Sequence, residues 1–208
     1  MNGLLVDFGG VLTTNVFDSF KQFCRAEGLP EDAVKSMFGE RREGLALLRR
    51  LETGELTADA FSTQFAPLLG VSPDNLVERL FGGISPDEPM LAAVRRARAA
   101  GIRTGLISNS WGDGIAYDPA LLDELFDAVV ISGEVGLHKP QPEIFHLAAE
   151  RIRVDPGDCV FVDDLRENCA GAEAVGMKAI LHRGAERTLP QLEELLGVRL
   201  SRDGGVRT

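Results

Sequence analysis

Carboxylates, a lysine, a hydroxyl and an amide recur in this sequence at the ends of short apolar runs. Asp7 follows Gly3–Val6. Ser108 and Asn109 end the run that begins at Arg103. Lys139 stands a loop beyond Ala128–Ser132, and Asp163 and Asp164 follow the run from Asp158 to Val162. These residue types suit phosphoryl transfer. Mg²⁺ takes oxygen ligands in near-octahedral geometry, which Asp7, Asp164 and a backbone carbonyl at Gly9 could supply together with waters. A carboxylate can itself attack phosphorus and carry the group covalently. A lysine and a cation offset the charge on the phosphate oxygens and shield the attacking carboxylate from repulsion. Ser108 and Asn109 can hydrogen-bond the group without adding charge.

For these side chains to meet, the elements carrying them must end on one edge. The five apolar runs, with Lys178–Leu181 the last, read as buried strands. From Glu88 onward they alternate with helical periods: Glu88–Ala100, Pro119–Leu125, Pro142–Arg153, Arg166–Val175 and Leu189–Leu196. Strands separated by helices of this length imply right-handed crossovers and a parallel sheet. In such sheets ligands bind beyond the carboxyl ends of the strands, where all the polar residues above stand. The expected class is therefore α/β, a parallel five-stranded sheet. Between Asn15 and Gly83 there are no strand patterns, only helical periods at Val16–Ala26, Glu31–Phe38, Glu40–Leu51, Ala58–Leu69 and Pro73–Phe81. Ser72-Pro73 reads as a cap and first-turn proline. This block is an expected insertion, giving a core of residues 1–14 and 84–200, a helical domain of 15–83 and a flexible tail of 201–208. Gly9 and Gly10 mark a tight turn where backbone must come close to something.

Composition narrows the partners. The 208 residues carry 32 acidic and 22 basic side chains, a net charge of -10. That opposes broad nucleic-acid binding, which needs a basic surface, but leaves room for a positive pocket that takes a small phosphorylated metabolite. Three cysteines, Cys24, Cys159 and Cys169, fit no zinc spacing. They read as reduced thiols of a cytoplasmic protein, Cys159 as a small buried hydrophobe. No signal-peptide pattern and no membrane-length apolar stretch is present.

The order VDFGGVLT, LISNS, HKPQPEIF and FVDDLRENCAGAEAVG resembles the four motifs of the haloacid dehalogenase-like hydrolases. Any one of them is weak; four in order, each after an expected strand, are specific. The helical block after the first motif is similar to the family's C1 cap. The resemblance runs from Gly3 to about Leu196. It implies a Rossmann-like core, a mobile cap, Mg²⁺ and phosphatase chemistry through an aspartyl phosphate. Asp7 would be nucleophile and metal ligand. Ser108 and Asn109 would bind phosphate, and Lys139 would neutralise charge. Asp164 would bind metal with the Gly9 carbonyl, Asp163 holding metal-bound water beside it.

One position departs from the pattern. Family phosphatases carry a second Asp two residues after the nucleophile, as general acid and base; here Gly9 stands in its place. Losing such a group costs about 10²–10⁴-fold. Three readings remain open. The substrate could have a leaving group that needs little protonation, such as an anomeric or acyl phosphate. Thr13 or a cap residue could hold the proton. Or the chemistry is that of a dehalogenase, a phosphonatase or a non-catalytic regulatory relative. Bland readings also stand for several residues. The Asp163-Asp164 pair suits a helix N-terminus, Trp111 and Tyr117 suit loop packing, and Arg41 and Arg42 suit a solvated face. His138 occupies a place where the resemblance usually shows arginine. Asn168 stays unassigned between a helix-face polar and a support for the site.

Overall fold

In the computed structural model, which describes residues 1–112 and 117–201, five parallel strands run in the order β3-β2-β1-β4-β5. They are β1 (Gly3–Val6), β2 (Arg103–Ser108), β3 (Ala128–Ile131), β4 (Cys159–Asp163) and β5 (Lys178–Leu181). The central strand β1 pairs with β2 on one side and β4 on the other, Val6 lying opposite both Leu106 and Val162. The strand order reverses direction around β1, so a crevice opens at its carboxyl end.

Alternation of side chains along the strands feeds two cores. Leu4, Val6, Leu106, Val160 and Val162 pack on one face. There they meet Met90 and Val94 of α6 (Glu88–Ala99), Leu125 of α7 (Pro119–Leu125) and Leu192 of α11 (Ala185–Leu196). Leu5, Ile107 and Phe161 pack on the other face, against α9 (Pro142–Ile152) and α10 (Arg166–Ala174). Burial on both faces explains why these strands read as unbroken apolar runs. Gly105 is required there: a Cβ would lie 2.7 Å from Leu5 and 2.9 Å from Ile152.

Five helices fall between β1 and α6: α1 (Val16–Ala26), α2 (Ala33–Gly39), α3 (Arg42–Glu52), α4 (Ala58–Leu69) and α5 (Leu76–Phe81). They bury a third core of their own, rich in phenylalanine. The chain's entry into and exit from this insert are tied together: Thr14 N–H donates to Ser85 O at 2.8 Å, and Asp87 N–H to Leu12 O at 2.8 Å. Asn15 and Thr57 cap α1 and α4 through their side chains.

Several helix ends shift by one or two residues from the sequence expectation, and three boundaries differ for a visible reason or by more. Helix α5 starts at Leu76, not Pro73. The Ser72 hydroxyl accepts from Asp74 N–H at 3.2 Å and closes a turn, and Asn75 adopts φ +47° before the helix begins. Helix α11 starts at Ala185 and runs through Pro190. Ser132 opens a short helix, α8 (Ser132–Val135), instead of closing β3. The expected flexible tail lies, beyond Ser201, outside the described residues.

Candidate active site

The site is built on the carboxyl ends of β1, β2 and β4. Asp7 is the first residue past β1, and its N–H donates to Val162 O at 2.9 Å, which fixes the backbone beside β4. Its Oδ1 accepts from Phe8 N–H at 2.7 Å and from Lys139 Nζ at 2.7 Å. Lys139 Nζ also lies 2.7 Å from Asp163 Oδ2. The ammonium therefore bridges two carboxylates, and all three residues are buried.

Asp163 has no exposed surface, and its partners account for its position. Besides Lys139 it accepts from Leu165 N–H at 2.8 Å and from Asn168 Nδ2, which reaches both oxygens at 3.0 and 3.1 Å. Asp163 thus sits beneath the floor as the anchor of Lys139, with Asn168 as its support. Asp164, the first residue past β4, lines the cavity. Carboxylate oxygens of Asp7, Asp163 and Asp164 all fall within 4.8 Å of one another.

The tight turn after β1 comes close to Asp164. Gly10 has φ +75°, and a Cβ there would sit 2.5 Å from Asp164 Oδ2. Only glycine leaves room for that carboxylate. The turn is closed by Thr13, whose Oγ1 accepts from Gly10 N–H at 3.1 Å and donates to Thr14 O at 3.0 Å. At Gly9 a Cβ would meet Val16 Cγ2 of α1 at 3.1 Å.

The loop after β2 holds Lys139 in place from the other side. Asn109 Oδ1 accepts from Lys139 N–H at 2.9 Å, and Asn109 Nδ2 donates to Lys139 O at 3.2 Å. The His138 ring nitrogen Nδ1 lies 2.9 Å from the same carbonyl. Ser108 Oγ is 2.9 Å from Tyr117 Oη, and the Tyr117 ring packs edge-on against Phe8 with centroids 4.9 Å apart.

Burial and crowding of like charge set the electrostatics. Burial pushes the Asp7 carboxyl up to about 8; Lys139 opposes the rise, and Asp163 and Asp164 add to it. Asp164 is pushed up to about 6 by burial and then by Asp163. Burial alone would lower Lys139, but Asp163 and Asp7 outweigh it and hold the ammonium above its ordinary value. Three ionised carboxylates around one lysine would carry an excess of two negative charges; the raised Asp7 and Asp164 reflect that crowding, which a divalent oxygen-ligated cation would relieve.

Above this floor lies a cavity of about 720 Å³ between core and insert. Asp7, Gly9, Ser108, Asn109, Lys139 and Asp164 line it, so six of the seven residues singled out from the sequence meet in one place; Asp163 lies just below. Its walls are aromatic and aliphatic: Phe17, Phe20 and Phe38 from the insert, Phe81, and Trp111 from the loop after β2. Trp111 and Tyr117 both pack the loop and face the cavity. Arg41 and Arg42 are exposed on the surface.

Sequence reasoning missed two features. Tyr117 as the partner of Ser108 had no local signal. Glu52, at the cavity wall, did: it is the last residue of α3, where the helix dipole disfavours an anion. Burial pushes its carboxyl up to about 7, against the pull of Lys139 and then of the Asn109 amide.

A nucleophile-placed carboxylate, a lysine bridge and an acid cluster at the switch point of a parallel sheet define a class of hydrolase. The family model of the haloacid dehalogenase-like hydrolases matches residues 1–176, and the chain belongs to that family. It is similar to bifunctional epoxide hydrolase 2 of Mus musculus, with 28% identity over 93% of this chain and 38% of the relative. This chain thus spans well under half the length of that bifunctional protein. It is also similar to phosphatase MT3486 of Mycobacterium tuberculosis (strain CDC 1551 / Oshkosh), 27% identical over 87% of each chain. Among solved structures, the HAD family enzyme bt-2542 of Bacteroides thetaiotaomicron, in complex with magnesium and inorganic phosphate, shares the fold. It has a TM-score of 0.65 and 22% identity, covering 88% of this chain and 95% of that one. No helix among the described residues is long and apolar enough to cross a membrane.

Proposed function

We propose that this hydrolase is a magnesium-dependent phosphatase that cleaves the phosphate ester of a small metabolite through an aspartyl phosphate on Asp7. The observation that carries this is the Lys139 ammonium held 2.7 Å from both Asp7 and Asp163, with Asp164 flush against the Gly10 turn. Such a floor is acidic enough to need a cation and yet presents a fixed positive charge to a phosphate. The phosphatase name of the Mycobacterium relative, which matches over most of its length, supports the same reading.

Asp7, Asp164 and the Gly9 carbonyl would hold Mg²⁺, which when bound lowers the repulsion between substrate phosphate and the attacking carboxylate. Lys139 and Ser108 bind the phosphate oxygens, and Tyr117 orients the Ser108 hydroxyl. Asn109, whose side chain brackets the Lys139 backbone, keeps the lysine at the height of Asp7. Asp7 attacks phosphorus in line and the ester oxygen leaves; water then opens the acyl phosphate and regenerates Asp7. Residues 15–83 act as a cap over the core of 1–14 and 84–200 and exclude bulk water during both steps. The aromatic walls favour an ester whose alcohol part is apolar.

Asp7→Asn tests the reading. With magnesium and a panel of phosphate esters, the variant is expected to fold as the wild type and to show no turnover. Full activity in that variant would remove Asp7 as nucleophile. Turnover of a halo-acid in excess chelator would instead favour dehalogenase chemistry on the same scaffold.

A further inference from the structure

We propose that Glu52, carried by the helical insert, is the general acid and base that position 9 lacks, and this assignment rests on the phosphatase reading above. An alkyl ester cannot leave efficiently as a bare alkoxide, and the second step needs a base for water. Position 9 cannot serve: it is glycine, and Val16 Cγ2 stands 3.1 Å from where its Cβ would be. Thr13 cannot serve either, since its hydroxyl is engaged by Gly10 and Thr14.

Apart from Asp7 and Asp164, four carboxylates line the cavity among the described residues: Asp32, Glu40, Glu52 and Glu167. Asp32, Glu40 and Glu167 are exposed, while Glu52 is half-buried. Glu52 lines the same cavity as Asp7, Asn109 and Lys139, and both Lys139 and Asn109 favour its charged form.

Its backbone is fastened to the core. Ser110 N–H donates to Ser132 Oγ at 2.8 Å, and the Ser132 hydroxyl in turn donates a short hydrogen bond to the Glu52 carbonyl. Two residues on, Gly54 at φ +77° lies so close that a Cβ would be 2.7 Å from Gly133 O. The end of α3 is therefore docked on the start of α8, which follows β3. That contact delivers Glu52 only when the insert is closed on the core. Burying an acid at a helix C-terminus opposes both desolvation and the dipole, so its position has no evident stabilising role. The same burial brings the group to about 7, where it can both give and take a proton near neutral pH.

The balance is as follows. As the Asp7 oxygen forms its bond to phosphorus and the ester P–O bond breaks, the Glu52 carboxylic acid gives its proton to the departing oxygen, releasing the alcohol. The Glu52 carboxylate then takes a proton from water, whose oxygen attacks phosphorus. The bond from Asp7 to phosphorus breaks, inorganic phosphate leaves, and Glu52 is again protonated.

Glu52→Gln is measured with magnesium on two probes, hexyl phosphate and p-nitrophenyl phosphate, after thermal melting shows the wild-type fold. With hexyl phosphate, kcat is expected to fall about 10²–10⁴-fold. With p-nitrophenyl phosphate, whose leaving group needs no proton, the first-turnover burst stays within a few-fold of wild type. The phosphorylated enzyme then accumulates and is seen by intact mass. Glu52→Asp restores part of the hexyl phosphate rate. An equal loss on both probes without phosphoenzyme, or no loss on either, would overturn the assignment. If the wild type itself shows no magnesium-dependent release from either probe, the phosphatase reading fails as well, and the two failures are told apart.

Discussion

The core side of the site and the insert side are held together by different physics. On the core side, charges sit at fixed short distances: Lys139 between Asp7 and Asp163, Asp163 held in turn by Asn168 and the Leu165 amide. On the insert side, rings pack on rings. Phe38 stacks on Phe65 with centroids 4.8 Å apart, and Trp111, reaching up from the core, sits 4.5 Å from Phe81 and 5.7 Å from Phe38. A buried charge has few acceptable positions, because losing one partner leaves the other uncompensated. An apolar wall has many, because dispersion contacts are individually small and re-form in new arrangements. The difference assigns precision to the floor and adaptability to the wall. Glu52 is the exception, a charge carried on the adaptable side and pinned to the precise one.

Breaking the floor is expected to have the largest effect. Lys139→Met removes the cation shared by Asp7 and Asp163, and is expected to abolish turnover and to cost about 3–5 kcal/mol of stability. Urea denaturation measures it; a loss below about 1 kcal/mol would show that the floor does not depend on the bridge. Breaking the wall is expected to be milder. Trp111→Ala removes a half-buried ring, so the cost is put at about 2 kcal/mol, below the roughly 3–5 kcal/mol of a fully buried aromatic. Its signature is a raised KM for esters with apolar alcohols, with kcat little changed. A collapse of kcat instead would mean that the ring positions the chemistry.

The smallest effect sharpens the exception. Folding raises Glu52 from its ordinary 4.5 to about 7, so the folded chain holds that proton more tightly than the unfolded one. Between those values stability falls as pH rises. The groups facing Glu52 are Lys139 and Arg49, which favour its charged form, and the Asn109 amide. Relative to wild type, Glu52→Gln should therefore gain stability from about pH 4.5 to about 7 and stay constant above. Parallel melting curves for the two proteins across that range would remove the buried, proton-holding Glu52 from the account.

Much of this was legible in the sequence. The apolar runs of β1, β2 and β4 are buried almost throughout and those of the edge strands β3 and β5 in part, so composition marked them, and the polar residues at their ends marked one edge of the sheet. Four motifs in order named the family. Boundaries that depended on turn chemistry were less legible: Ser72-Pro73 made a turn instead of a first helical turn because the Ser72 hydroxyl closed on Asp74. The sequence resemblance already gave Asp164 the direct metal contact and Asp163 a water beside it, but not the hold of Asp163 on Lys139. Burial separates them: Asp163 is fully buried and holds Lys139, while Asp164 is half-buried and lines the cavity.

The sequence by itself determined the strands, the acid that ends the first of them and the glycine two residues beyond it, because each is a matter of residue type and local period. That Glu52 lines the same cavity as Gly9 was decided only by tertiary structure. Glu52 lies 43 residues further along the chain (52 minus 9) on a separately packed helical unit. Nothing local relates it to Asp7. It reaches the site because Gly54, having no side chain, lets the end of α3 close against Gly133, a contact that exists only once both units have folded and met.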